Sequence, residues 1–174
     1  MKKIILSLTI VYSLIMMTAC PSRSGLEKAF HESARVASLA ETAAVTTGEF
    51  YSSGLLNLTT KDRIADALAL VVKNGKSFHK VLAGLKAQYG DNLTAIPKAE
   101  LANLDLIFST QVITPFLEIL SNIGVLPPAI AQKLVVAFSI LKTAILTISG
   151  VFGGGSASYQ FYLDHREANS YATA

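Results

Sequence analysis

"KDRIADALALVVKNGKSFHKVLAGLKAQY", residues 61–89, decides the fold. Ile64, Leu68, Val71, Gly75, Phe78, Leu82, Leu85 and Tyr89 recur at alternating spacings of four and three. An α-helix turns once in 3.6 residues, so this spacing places all of them on one helical face. The Asn74-Gly75 pair is a common helix breaker, yet the pattern stays in phase across it. The spacing therefore predicts a single helix over 61–89. Gly75, on a seam of large side chains, predicts the closest approach of a neighbouring helix. Thr60 is expected to cap the start, with Asp62 in the first turn, where a carboxylate meets the positive end of the helix dipole. Gly90-Asp91-Asn92 is expected to end it.

Upstream, a second periodic run predicts a helix over 25–53. Its seam is Leu26, Phe30, Ser33, Ala37, Ala40, Ala44, Thr47 and Tyr51, most of them small. Ser24 and Glu27 have the spacing of a capping box, and Gly54 is a natural stop. Downstream, a third helix is expected from Pro97 to Gly124, bent by Pro115. A fourth is expected over 128–152, opened by Pro127-Pro128, with the seam Leu134, Phe138, Leu141, Ile145, Ile148 and Phe152. No stretch alternates as a strand does. Four helices of similar length with short loops predict an all-α domain over 25–152, an antiparallel four-helix bundle of up-down-up-down order. In that order the 90s loop and the end of the fourth helix share one end of the bundle with the start of the first. Residues 153–174, "GGGS" followed by "ASYQFYLDHREANSYATA", read as a flexible spacer and tail.

The first 20 residues carry a different signal. Lys2-Lys3 precedes the uncharged run Ile4 to Met17, then the small residues Thr18 and Ala19, then the chain's one cysteine, Cys20. The run has the length of a signal-peptide core and is shorter than the roughly 20 apolar residues of a membrane span. Met17-Thr18-Ala19-Cys20 resembles the lipobox of bacterial lipoproteins. The resemblance covers residues 1–20 only. It implies a signal peptide over 1–19 and a lipidated linker over 20–24. It also implies diacylglycerol and an N-acyl chain, such as palmitate, on Cys20, and residence in the bacterial cell envelope, anchored to a membrane on its exported side. A lone cysteine has no disulfide partner in the chain, which suits this use.

Composition narrows the function further. The 174 residues carry a formal charge of +3, but Lys2 and Lys3 belong to the signal segment, so the mature chain is nearly neutral. The pI near 9.0 is therefore a poor argument for nucleic acid. Only 16% of residues are charged, and the apolar surplus concentrates after residue 100. Leu106, Ile113, Leu117 and Leu120 form a line on the far side of the third helix from its main stripe of Leu101, Leu104, Phe108, Val112 and Ile119. That line is the expected contact surface for a second copy or a partner helix. Val136 and Ile140 lie opposite the seam of the fourth helix.

Lys73, Lys76 and Lys80 share one face of the second helix and are candidates for contact with anionic headgroups. No nucleophile motif, phosphate loop or metal-ligand cluster is present in the sequence. Glu27 and His31, four apart, read as an ion pair. The expectation is a non-enzymatic, lipid-anchored structural or protein-interaction module with no cofactor and no metal. The alternative is a membrane-active lipoprotein of immunity or exclusion type, whose apolar 104–152 hairpin contacts or enters the bilayer.

Overall fold

A computed structural model describes residues 25–152, and every element among them is helical. The elements are α1 (Gly25–Ser52), α2 (Leu58–Tyr89), a short 3₁₀ turn (Leu93–Ala95), α3 (Lys98–Phe108), a π turn (Ser109–Ile113), α4 (Thr114–Gly124), α5 (Pro128–Ala137) and α6 (Ser139–Phe152). The signal segment, Cys20, the Ser24 cap and the 153–174 spacer and tail lie outside the described residues.

The 61–89 seam is the centre of the molecule. Ile64, Leu68, Val71, Gly75, Phe78, Leu82 and Leu85 are all buried, and Tyr89 packs against the core from its edge. The helix runs unbroken through Asn74-Gly75. It begins earlier than the sequence predicts, at Leu58, and the cap is Asn57, whose side chain accepts from Thr60 N at 2.8 Å. Thr60 is thus inside the first turn, and Asp62 lies beyond it, paired with Lys61 at 2.8 Å. Gly54 (φ 71°) and Gly90 (φ 65°) close α1 and α2 in the left-handed region, where a Cβ is costly.

α1 and α2 pack antiparallel. Ser33 meets His79, and Lys76 meets Glu41. A Cβ on Gly75 would stand 3.1 Å from Val36 Cγ1 and 3.7 Å from Ala37 N. Of the predicted seam of α1, Leu26, Ser33, Ala37, Ala40 and Thr47 are buried and Phe30 and Ala44 pack at its edge; Ala29, Val36 and Ala43, outside the predicted seam, complete the face packed on α2 and α6. Tyr51, the last member of that seam, is largely outside, with Lys61 Nζ 5.7 Å above its ring.

The rod from Lys98 to Gly124 runs antiparallel to α2: Phe78 stacks on Phe108 at 4.8 Å, and Asn74 reaches Gln111. Pro115, expected to bend this helix, stands just after a π turn. A proline cannot donate to the carbonyl four residues back, here Gln111, and its ring crowds that carbonyl. The π turn just before it adds a residue to the coil and relieves the crowding. The unserved Gln111 oxygen accepts instead from Asn74 Nδ2 at 2.7 Å.

The extra residue also rotates everything downstream. Leu104, Phe108, Val112 and Phe116 are four apart three times running, a spacing that drifts about 40° per step on a regular helix. The π turn absorbs the drift, so all four are buried. Ile113 turns inward with them.

The expected fourth helix is two. α5 and α6 meet at Phe138 with a bend of 58°. The whole predicted seam survives the break: Leu134, Phe138, Leu141, Ile145 and Ile148 are buried, and Phe152 packs at the edge. α6 lies along α1 and touches α3, whereas α5 rests on α4.

Candidate functional site

The end of the domain that follows Cys20 is built from three elements. Gly25, the first residue of α1, has Val151 of α6 and Leu93 of the 90s loop 3.5 and 3.6 Å from its Cβ position. The start of α1, the 90s loop and the end of α6 therefore converge, as the sequence predicts. Just inside this end lies a polar and aromatic group. Phe30 stacks on His79 at 4.5 Å and meets His31 edge-on at 5.8 Å. Lys86 Nζ sits 5.3 Å above the Phe30 ring and pairs with Asp91 at 2.8 Å. Glu27 and His31 approach to 3.7 Å.

Ser33 and His79 are 2.9 Å apart, the distance of a catalytic serine–histidine pair. Ser33 Oγ also lies 2.8 Å from the Phe30 carbonyl, to which it donates, and the direction of its bond to His79 Nδ1 is set by the histidine tautomer. The pair is a clasp between α1 and α2. Its two members are far apart in sequence, so no spacing announced it.

At the same end Tyr89 and Glu100 join α2 to α3. Burial first, and then its hydrogen bond to the Glu100 carboxylate, push the Tyr89 hydroxyl above the usual phenol range. Among the described residues no three His, Cys, Asp or Glu side chains gather as a metal site.

The sequence-predicted lysines Lys73, Lys76 and Lys80 are all exposed. Lys76 is tied to Glu41 of α1 at 2.8 Å. Lys80 lies about 14 Å and Lys73 about 24 Å along α2 from Tyr89, at 1.5 Å per residue.

The predicted contact line divides. Leu106 is 60% and Leu117 41% exposed, but Ile113 is only 4% exposed. Leu120 is half-buried against the core. Ile113 is a core residue because the π turn rotates it inward. The surface apolar residues that remain on this side are Leu106, Leu117, Val125, Val135, Val136 and Ile140.

The polar residues beneath them, Asp105 and Ser109, are buried, and Lys142 is half-buried; all three are engaged by neighbours. By length and composition the rod Lys98–Gly124 is apolar enough to cross a membrane, with 44% of its most apolar window buried inside the domain. No family profile, curated protein or solved structure matches this chain.

Proposed function

We propose that this chain is a lipid-anchored protein of the bacterial cell envelope, held on the exported side of a membrane by acyl chains on Cys20. Its helical domain acts as a non-enzymatic structural or protein-interaction module. The observation that carries the reading is the ordered series Lys2-Lys3, the uncharged run to Met17, and Met17-Thr18-Ala19-Cys20. The helical domain begins at Gly25, so the segment between it and the lipid reaches at most about 3.5 Å per residue, under 20 Å in all. Multiple acyl chains anchor firmly where a single chain does not.

We read the arrangement of the domain as four rods in up-down-up-down order, the third carrying the π turn and the fourth bent at Phe138. The antiparallel contacts of α2 with α1 and with the Lys98–Gly124 rod support this order. A second reading, a membrane-active protein of immunity or exclusion type, draws on the length and apolar character of the Lys98–Gly124 rod. Against it stand Asp105, Glu118 and Lys142, since a charge at the bilayer centre costs about 3 kcal/mol or more.

The test is detergent phase partitioning of the full chain. Cys20→Ala is expected to move the protein from the detergent phase to the aqueous phase. If the variant partitions unchanged, the anchor is wrong and the second reading takes its place.

A further inference from the structure

The two halves of the domain differ in what they show to solvent. α1 and α2 expose Lys28, Glu41, Arg63, Lys73, Lys76 and Lys80, among other charges. From Ala102 to Phe152 the exposed charges are Glu118 and Lys133 alone. Within that span Leu106, Leu117 and Val136 each stand two residues from a buried neighbour, Phe108, Ile119 and Phe138, hence about 200° around the helix from the core. Between them lie exposed Ala102, Thr110, Ser139 and Thr143. α3 packs on α6 and α4 on α5, so these outward sides make one continuous face, turned away from the α1–α2 hairpin.

We propose that this face is where a second copy of the chain docks, outer face of α3–α6 against the same face of its partner. The proposal rests on the reading of the protein as an interaction module and names the partner. An isologous pairing sets each residue of the patch against the same patch, so charges of one sign would confront themselves. A face whose nearest charge is Lys133, one turn from Val136, keeps that repulsion small, and small side chains between the large ones allow two helical surfaces to close. The face is about 33 Å long from Ala102 to Gly124 and about 20 Å wide across two helices, by helix rise and diameter. That footprint is near the ~800 Å² each partner covers in a stable complex. Copies anchored at Cys20 in one membrane already stand parallel, with a two-fold axis along the membrane normal available to them.

The experiment is bismaleimide cross-linking of the full chain, in membranes and after detergent extraction, with single cysteines placed at Leu106, Leu117 or, as a control, Lys80. Leu106→Cys and Leu117→Cys are expected to give a covalent dimer, while Lys80→Cys and the wild type give none. Adding Leu106→Lys and Leu117→Lys to an Ile140→Cys chain is expected to abolish its dimer with the helical circular dichroism unchanged. Absence of a dimer from the leucine positions overturns the proposal, as does an equal yield from Lys80→Cys. A polarity-sensitive dye on Leu117→Cys that responds to phosphatidylcholine vesicles, with no cross-link formed, overturns it in favour of a lipid surface.

Partitioning is scored on the same samples. A chain that stays in the detergent phase without cross-linking overturns the pairing and leaves the anchor standing. A chain that cross-links through Leu106→Cys or Leu117→Cys above the yield of the wild type, whose one thiol would then be Cys20, without partitioning supports the pairing and removes the anchor.

Discussion

Gly75 is the residue on which the α1–α2 packing turns. Its missing side chain lets Val36 and the Ala37 backbone approach to within 3.1 and 3.7 Å of where a Cβ would stand. Two effects oppose each other on substitution. Replacing a mid-helix glycine raises helix propensity by about 0.8–1 kcal/mol. Forcing a large side chain into a filled interface costs about 1–3 kcal/mol. For Gly75→Leu the second is expected to win, and the thermal midpoint to fall. A midpoint at or above wild type contradicts the close approach.

One position earlier, Asn74 serves the carbonyl that Pro115 leaves empty. Asn74→Ala is expected to cost about 1 kcal/mol, the value of one hydrogen bond near a surface. In a Pro115→Ala background, where residue 115 has an N–H again, the same substitution is expected to cost less. A double-mutant cycle by chemical denaturation measures the difference. Equal costs in both backgrounds would show that Asn74 and Pro115 are independent.

At the scale of the element, the helices that read most clearly are those whose apolar spacing keeps a constant phase. The seam of α2 was legible residue by residue, because alternating spacings of four and three track a regular helix. In the rod after Pro97 the main stripe was legible through Val112 and Ile119, both buried, but the phase of Ile113 was not. The third consecutive spacing of four, reaching Phe116, was the available sign of an inserted turn; a straight helix misplaces Ile113 by that one residue. The break at Phe138 had no such sign, with no proline or glycine within it; it comes from α5 packing on α4 while α6 packs on α1. The α2 cap was mis-set for a local reason: Asn57 and Thr60 both suit a cap, and only the helical placement of Leu58 and Thr59 decides between them.

The rotation by the π turn makes a prediction at the same scale. Ile113→Lys puts a charge among core side chains and is expected to cost about 3 kcal/mol or more. Leu117→Lys, on the exposed side, is expected to change stability by no more than about 0.5 kcal/mol. Urea unfolding of each variant checks this, and similar midpoints for the two contradict the rotated phase.

At the scale of the whole molecule, the proposed function rests on a stretch outside the described residues. The lipobox resemblance at Cys20 carries the proposed address, whereas the domain contributes an outer face poor in charge and an end where Gly25, Leu93 and Val151 meet. No spacing in the sequence could show that His79 would meet Ser33, or that Lys76 would pair with Glu41. These follow from which helices become neighbours. The same neighbours leave one side of the molecule rich in charge and the other with Glu118 and Lys133 as its exposed charges.

The central claim is the lipid on Cys20, and the most direct measurement is the mass of the amino-terminal peptide of the protein extracted from bacterial membranes. The account predicts a peptide that begins at Cys20 and carries the added mass of a diacylglyceryl group with an N-acyl chain. A peptide containing Cys20 with a free thiol, or one still joined to Ala19, contradicts it.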